Sequence, residues 1–260
     1  MDLEITSDNT IVSIDDANQL QFAATNVKWI TTGSSQLLLL KQTASVRLNN
    51  VILPGGIVVT NSNDIVVRVM DSDLSVTGSE YLVAMGTSLT TNVAAVMNVT
   101  FSRTRLSGGT FFEVSRGGMW SFDDCVLSST NTINTLFNLA YTPIAATDVL
   151  QIQIKNVEWR SLPLTLFADD QVNASWIEVE VVNASIQSIF AVNLITLSKG
   201  SKTTPSSFTL TTLNTTLDAT VIGSLQASFL TVYLSLSNTT LMFGRTGWLQ
   251  RSGSTTATGQ

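Results

Sequence analysis

The stretch Leu20-Gln-Phe-Ala-Ala-Thr-Asn26-Val-Lys-Trp29 holds the pattern that decides the fold. Apolar or small residues alternate up to an Asn, and a large apolar residue follows three positions later. Variants of this pattern recur at steps of 21 to 32 residues along the chain. Such a repeat is typical of a solenoid, whose units bury their apolar faces only by stacking. The Asn or Asp of each copy, called its anchor, is Asn26, Asn50, Asp71, Asn98, Asp124, Asn156, Asn183, Asn214 or Asn238.

The positions around each anchor predict strands. Residues two and four before the anchor are apolar in every copy except at Thr212, and the residues between them are mostly polar or small. This period-two alternation indicates a strand with one buried face. The position three after the anchor is always apolar, which predicts a second strand beyond a tight corner. A further apolar run, less distinct around 225–230, predicts a third strand.

The sequence therefore predicts an all-β fold, a single parallel β-helix (β-solenoid) of about nine three-strand turns. It occupies residues 1–251, with another partial turn within residues 3–14, and 252–260 form a flexible Ser/Thr/Gly tail. The alternative is a β-sandwich, which gives no reason for three apolar positions to stay in phase over nine units.

The anchor residues suit a sharp corner. Asn and Asp tolerate the left-handed backbone conformation and form local hydrogen bonds. Stacked once per turn, Asn side chains can also bond to each other along the axis. We therefore predict a structural asparagine ladder through the nine anchors, in which Asp71 and Asp124 interrupt the purely amide pattern.

The anchor phrases resemble a known fold pattern. They read Asn98-Val-Thr-Phe101, Asn183-Ala-Ser-Ile186, Asn214-Thr-Thr-Leu217 and Asn238-Thr-Thr-Leu241. A strand, an Asn corner and a second strand resemble the right-handed pectin-lyase-like parallel β-helices, which implies a right-handed solenoid. With the composition rich in Ser, Thr, Val, Leu and Asn, the phrases are also similar to the trypanosome dispersed gene family of surface proteins. The resemblance covers roughly 18–250, and its motif carries no catalytic group.

Composition limits the partners. Charged residues make up 12% of the chain and the net charge is −6, with Lys and Arg scattered. Nucleic-acid binding needs a basic stripe, so we expect no nucleic-acid partner. No run of 18 apolar residues occurs, so we expect no membrane span. The N-terminal Met1-Asp-Leu-Glu4 lacks the basic and apolar regions of a signal peptide.

The residue types also exclude several chemistries. The chain has no histidine and a single cysteine, which excludes Ser-His-Asp catalysis, His-ligated zinc and thiolate metal clusters. We therefore predict no metal and no cofactor. Cys125 has no partner for an internal disulfide, and we expect it to be a small buried residue.

Only carboxylate and Arg/Lys chemistry remains. Adjacent acids such as Asp123-Asp124 and Asp169-Asp170 point to opposite faces of a strand, which is poor geometry for a glycosidase pair. Pectate-lyase chemistry needs acidic calcium ligands and an Arg or Lys base, for which the candidate catalytic residues are Glu113, Arg116 and Asp169. We favour ordinary surface charge for all three.

Three further residue sets have candidate roles. Arg47 and Arg68 occupy the same outward position in adjacent units, where they either splay apart or bind an anion. Of the N-x-Ser/Thr sequons, four use anchors, which leaves Asn173 as the glycosylation candidate. The tryptophans are Trp29, Trp120 and Trp159, which occupy inward positions and should lie in the core, and Trp176 and Trp248, which are core or sugar-stacking residues.

These observations favour a non-enzymatic structural or adhesive β-solenoid of a cell surface or extracellular assembly. Its expected partners are a protein or carbohydrate surface and, through the solenoid ends, further copies of itself. The first alternative is a polysaccharide lyase or hydrolase of pectin-lyase-like fold. The second is a viral or phage spike segment, whose chains would form a trimer.

Overall fold

The computed structural model describes the strands and most of the corners between them. In this part of the chain we find 27 β-strands and no helix, so no helix there is long and apolar enough to cross a membrane. The described residues are 3–6, 12–14, 20–30, 38–41, 43–60, 65–76, 81–85, 97–108, 110–114, 117–128, 135–139, 149–161, 165–172, 176–188, 193–199, 206–219, 221–225, 230–243 and 249–251.

The strands follow one another in a constant order. They are β1 (Leu3–Thr6), β2 (Val12–Ile14), β3 (Leu20–Ile30), β4 (Leu38–Lys41), β5 (Thr43–Leu53), β6 (Ile57–Thr60), β7 (Ile65–Met70), β8 (Asp73–Ser75), β9 (Tyr81–Met85), β10 (Met97–Ser102), β11 (Arg105–Ser107), β12 (Thr110–Val114), β13 (Gly118–Asp123), β14 (Val126–Ser128), β15 (Thr135–Leu139), β16 (Val149–Lys155), β17 (Glu158–Ser161), β18 (Thr165–Val172), β19 (Trp176–Val182), β20 (Ser185–Ser188), β21 (Asn193–Lys199), β22 (Ser206–Leu213), β23 (Thr216–Ala219), β24 (Val221–Leu225), β25 (Leu230–Ser237), β26 (Thr240–Phe243) and β27 (Leu249–Arg251).

Equivalent strands stack in parallel, one turn apart. Thus β13 pairs with β16, β14 with β17 and β15 with β18, all in parallel. We call one turn of the chain a rung. The strands on either side of each corner form a 17-stranded sheet, and the last strand of each rung joins a 10-stranded sheet. In the first two rungs the strands before and after the corner are continuous, as β3 and β5. The described strands make nine rungs, preceded by a partial rung of β1 and β2, which confirms the predicted all-β solenoid.

Register keeps the apolar positions aligned. Val99 pairs with Trp120, and Trp120 pairs with Ile152, and all three are buried. Such a set of equivalent residues in successive rungs is called a column. Because neighbouring residues of a strand point to opposite faces, an in-register stack places each apolar column inside. Burial of one such side chain stabilises the fold by about 1.5–3 kcal/mol.

The middle of the core is aromatic. The rings of Phe101 and Phe122 stack with centroids 5.2 Å apart. Phe112 lies 5.4 Å from Phe101, 5.3 Å from Phe122 and 5.1 Å from Trp120 in tilted arrangements. Tilted and offset ring pairs favour this spacing. The third strand of the rung supplies Phe112, so this cluster ties the two sheets together.

The tryptophan and cysteine predictions hold where the structure describes the side chains. Trp29, Trp120, Trp159 and Cys125 are all buried, as expected for core residues. Trp176 begins β19, and Trp248 lies outside the described residues. The one polar member of the inward columns, Thr212, is also buried, and its hydroxyl lies 2.7 Å from that of Thr239 in the next rung.

Candidate functional site

Among the described residues, one non-glycine residue per rung adopts the left-handed backbone conformation, and these residues form a single corner column. Their φ angles lie between 45° and 56°. A non-glycine residue with positive φ is uncommon, and Asn and Asp are the types that tolerate it best. The members of the corner column are Asn26, Asn50, Asp71, Arg103, Asp124, Asn156, Asn183, Asn214 and Asn238.

The prediction that Asn98 is a corner residue is wrong. Asn98 lies inside β10, where it pairs with Val66 and Met119. Arg103 occupies the corner of that rung instead, with φ of 47°. Arginine is uncommon at positive φ, so a pattern based on Asn or Asp indicates the wrong residue of this rung.

A better signal was present in the apolar columns. Val99 and Phe101 stand four and two residues before Arg103, and Leu106 stands three after it. All three are buried. The spacing of the buried positions therefore identifies this corner even though the residue type does not.

Six of the corner residues form an amide ladder in two segments. The Nδ2 of Asn50 donates to Oδ1 of Asn26 at 2.7 Å. In the C-terminal half, Asn183 donates to Asn156 at 3.3 Å, Asn214 to Asn183 at 3.2 Å, and Asn238 to Asn214 at 2.7 Å, in each case from Nδ2 to Oδ1. Each amide thus bonds to the rung before it, and the predicted asparagine ladder is present in these two segments.

Between these segments the corner column is ionic. Arg103 donates from Nε to Oδ1 of Asp71 at 2.7 Å and from Nη2 to Oδ2 at 2.9 Å. This bidentate pair replaces the amide contact. Asn156 donates to Oδ1 of Asp123 at 3.0 Å, so the ladder passes through the residue before Asp124.

The ionic pair shifts the titration of both members. Hydrogen bonds from Arg103 hold the pKa of the Asp71 carboxyl below its usual value, and those to Asp71 raise the pKa of Arg103. Asp71 is thereby kept ionised and unsuited to general acid or base chemistry near neutral pH. Beside it, Arg105 Nη1 lies 3.8 Å from Oδ2 of Asp73, and both pairs border an open groove along the corner.

A second column just inside the corner was not predicted. The residue after each corner is small and buried where it is Ser72, Thr104, Cys125 or Thr215. Each of these donates to the backbone carbonyl two residues before it, at distances from 2.6 Å for Ser72 to 3.4 Å for Cys125. For Thr104, Cys125 and Thr215 this is a second hydrogen bond, because the same carbonyls already accept from the backbone N–H of the corner residue in the rung before.

The cysteine in this column is chemically quiet. Burial raises the pKa of the Cys125 thiol to about 11. A thiol is nucleophilic only as the thiolate, so the group is protonated at neutral pH. Among the described residues, no set of three His, Cys, Asp or Glu side chains could hold a metal ion.

Two of the three candidate catalytic residues lie on strands of the 10-stranded sheet. Glu113 is on β12 and Asp169 is on β18, while Arg116 lies outside the described residues. Register pairs Glu113 with Asn138, and Asn138 with Ala168. Asp169 is therefore one residue out of the Glu113 column. The glycosylation candidate Asn173 and the tail 252–260 also lie outside the described residues.

The outer face before the corner carries polar columns. On β16 and β19, Gln151 donates from Nε2 to Oε2 of Glu178 at 2.9 Å. Lys155 Nζ lies 3.6 Å from Oε2 of Glu180. In the second and third rungs, Arg47 on β5 and Arg68 on β7 pair in register, and both side chains are exposed.

The chain matches no family model, no curated protein and no solved structure. The parallel β-solenoid therefore stands on the strand register alone. The pectin-lyase-like and trypanosome surface-protein resemblances stay predictions.

Proposed function

We propose that this protein is a non-enzymatic β-solenoid that serves as a structural or adhesive rod in an extracellular or cell-surface setting. The main observation behind this proposal is that an ion pair and the cysteine thiol of the described rungs form contacts within the corners. Asp71 and Arg103 hold each other at the corner, and Cys125 is a buried donor to a backbone carbonyl. In these rungs the ion pair and the thiol therefore stabilise the corners, which supports a structural role.

The exposed face of β16, β19 and β22 supports an adhesive role. Strand register stacks Gln151 on Glu178 and Glu178 on Thr209. Two positions further, Gln153, Glu180 and Thr211 repeat the arrangement. The rows present hydrogen-bond donors and acceptors every ~4.8 Å along the axis. A carbohydrate chain or an extended protein segment could bond to successive rungs of such a surface.

Binding to immobilised glycans and to extracellular-matrix proteins tests this role. We expect saturable binding that Gln153→Ala with Thr211→Ala weakens at least tenfold. The matched control is Thr216→Ala, which changes a residue beyond the corner on another face. Equal binding by both variants would remove this face from the proposal.

The lyase alternative is tested with the same protein. It is incubated with a panel of polyuronates and calcium, and unsaturated products are followed by ultraviolet absorbance. We expect no turnover. Robust turnover that Glu113→Ala abolishes would replace the structural role with an enzymatic one.

We further propose that the C-terminal edge of the solenoid binds a second copy of the chain. Among the described strands, none pairs with β25 beyond the last rung. Its inward side chains are less covered as a result: Leu236 is 37% exposed, whereas its register partner Thr212 in the rung before is 0% exposed.

The composition of β25 favours a copy of itself as the occupant. The strand reads Leu-Thr-Val-Tyr-Leu-Ser-Leu-Ser and lacks the charges and prolines that usually protect an edge. An antiparallel pair about a two-fold axis at Leu234 places positions 232 and 236, which are both apolar in the sequence, in register with each other.

Light scattering after gel filtration measures this contact. We expect a dimer that Leu236→Lys converts to a monomer. Val126→Lys, at an exposed position away from the edge, should leave the dimer intact. A trimer would favour the spike alternative, and a monomeric parent chain would contradict the end contact.

A further inference from the structure

Two arginines of the described face before the corner stack directly on each other. Arg47 on β5 pairs in register with Arg68 on β7, and both side chains are exposed. Parallel neighbours in register lie ~4.8 Å apart. Like charges placed opposite each other on a sheet are destabilising, so the arrangement needs a compensating group.

The chain itself supplies no such group among the described residues. Three other described cations have carboxylate partners: Arg103 bonds to Asp71, Arg105 lies near Asp73, and Lys155 lies near Glu180. Neither Arg47 nor Arg68 makes an ion pair or hydrogen bond with any described residue. Arg47 and Arg68, which repel each other, thus lack the carboxylate partner that these three cations have among the described residues.

The described strands around the pair carry no acidic residue. The strands β3, β5, β7 and β10 contain no Asp or Glu. This local excess of positive charge is unusual in a chain whose net charge is −6. It favours an anion over a cation or a neutral ligand at this position.

Neutral donors border the pair and leave it open to solvent. The register partner of Arg68 on the next strand is Thr100, whose hydroxyl can donate a hydrogen bond. On β5, Ser45 and Asn49 stand two residues before and after Arg47 on the same face. The register partner of Arg47 on the other side is Ala23, whose methyl group blocks nothing.

We propose that Arg47 and Arg68 form an oxyanion-binding site on this face. The ligand is a carboxylate, sulfate or phosphate group, whose oxygens accept hydrogen bonds from both guanidinium groups at once. Guanidinium forks match such oxyanions with paired hydrogen bonds. The site does not depend on the rod function, since an oxyanion would be held here whatever the rest of the chain does.

Arginine side-chain NMR tests the site on the full chain. The Nε–Hε signals of Arg47 and Arg68 are followed during separate titrations with acetate, sulfate and phosphate, with chloride keeping the ionic strength constant. We expect saturable shifts of both signals with at least one of the three anions. The anion that binds most tightly identifies the group as planar or tetrahedral.

Variants separate a paired site from general salt effects. Arg68→Gln should weaken binding at Arg47 at least tenfold, and Arg47→Gln should do the same at Arg68. Arg68→Lys, which keeps the charge but loses the fork, should weaken it several-fold. Arg105→Gln makes the same change of charge on another face and should leave binding unchanged.

Stability gives a second measurement. Without added oxyanion at low ionic strength, Arg68→Gln should raise Tm because it removes the repulsion. The proposal is overturned if none of the three anions gives a saturable shift. It is also overturned if the shift at Arg47 is the same in the parent chain and in Arg68→Gln, which would indicate an adventitious ion only.

Discussion

Two parts of the corner column adopt the same left-handed backbone conformation but are stabilised by different side-chain contacts. From Asn156 to Asn238 the corner is neutral, and each amide donates to the rung before it. From Asp71 to Asp124 it is ionic, with a bidentate Arg103–Asp71 pair in place of the hydrogen bond between two side-chain amides. The φ angles of the two halves nevertheless lie within the same narrow range. The corner conformation is therefore fixed by the stack of strands, and the side chain adapts to it.

This difference has consequences that can be measured. Asparagine tolerates positive φ and supplies both a donor and an acceptor, so the amide half should respond little to pH or salt. Arginine tolerates positive φ less well, and its compensation is an exposed ion pair. Exposed ion pairs are screened by salt. The ionic half should thus be the part of the corner that responds to solution conditions.

The largest expected effect is that of a branched residue in the amide half. Asn183→Val adds strain at a φ of 51° and removes two ladder hydrogen bonds. We expect a loss of roughly 2–4 kcal/mol in the free energy of unfolding, measured with urea. Asn183→Gly removes the same bonds without the strain and should lose less. Equal losses would show that the conformation is not the main constraint.

A transplant of the amide chemistry into the ionic half has the next largest effect. In the double variant Asp71→Asn with Arg103→Asn, we expect a hydrogen bond between the two side-chain amides of adjacent rungs. We also expect a Tm that no longer falls as the sodium chloride concentration rises. The parent chain should lose more stability over the same range of salt. A double variant with undiminished salt dependence would contradict the role of the Arg103–Asp71 pair.

Acid should weaken the ionic half selectively. The folded-state pKa of Asp71 is depressed from 3.8, so its contribution is present above that value and is lost as pH falls through the folded-state pKa. The parent chain should therefore lose stability below about pH 4 more steeply than Arg103→Gln does. Urea unfolding between pH 2 and 6 measures the difference. Parallel curves would show that the pair does not stabilise the fold.

The smallest expected effect concerns the residue inside the corner. Cys125 in the ionic half and Ala184 in the amide half are equivalent and buried, and only Cys125 donates to a carbonyl. We expect Cys125→Ala to cost about 1 kcal/mol or less.

Alkaline pH adds a second test of this position. The folded-state pKa of the thiol is raised from 9.0 to about 11, so the parent chain should lose stability as pH rises through this interval, and Cys125→Ala should not. Alkylation of the native thiol at pH 8 should be slow and should become fast on unfolding. Fast alkylation of the native protein would contradict the burial of Cys125.

Most of the fold follows from residue patterns, because the stack repeats the same physical requirement. Every rung must bury its inward residues, so apolar columns such as Val99, Trp120 and Ile152 predict the strands. Asn predicts corners because few residues accept positive φ. Arg103 was missed for the opposite reason, since its compensation comes from Asp71 in another rung. A contact between residues 32 positions apart is invisible to a local pattern.

The functional residues were harder to predict. The in-register pair of Arg47 and Arg68 was foreseen from the spacing of the columns. That neither arginine has an ion-pair partner among the described residues could not be predicted from this spacing, because it depends on every side chain of the same face. The sequence shows that small residues such as Ser72, Thr104 and Thr215 follow the corners. Their hydrogen bonds to backbone carbonyls could not be predicted without the geometry of the turn.

Distances between spin labels test the central claim, the in-register stack of rungs, most directly. Lys28, Glu158 and Thr240 stand in one outward column beyond the corner, with Glu158 five rungs and Thr240 eight rungs from Lys28. Cysteine labels at these sites, in a Cys125→Ala background, are measured by double electron–electron resonance. We predict narrow distributions near ~24 Å for 28–158 and ~38 Å for 28–240, in proportion to the number of rungs. Distances that do not increase in this way, as in a sandwich, would contradict the stacked solenoid.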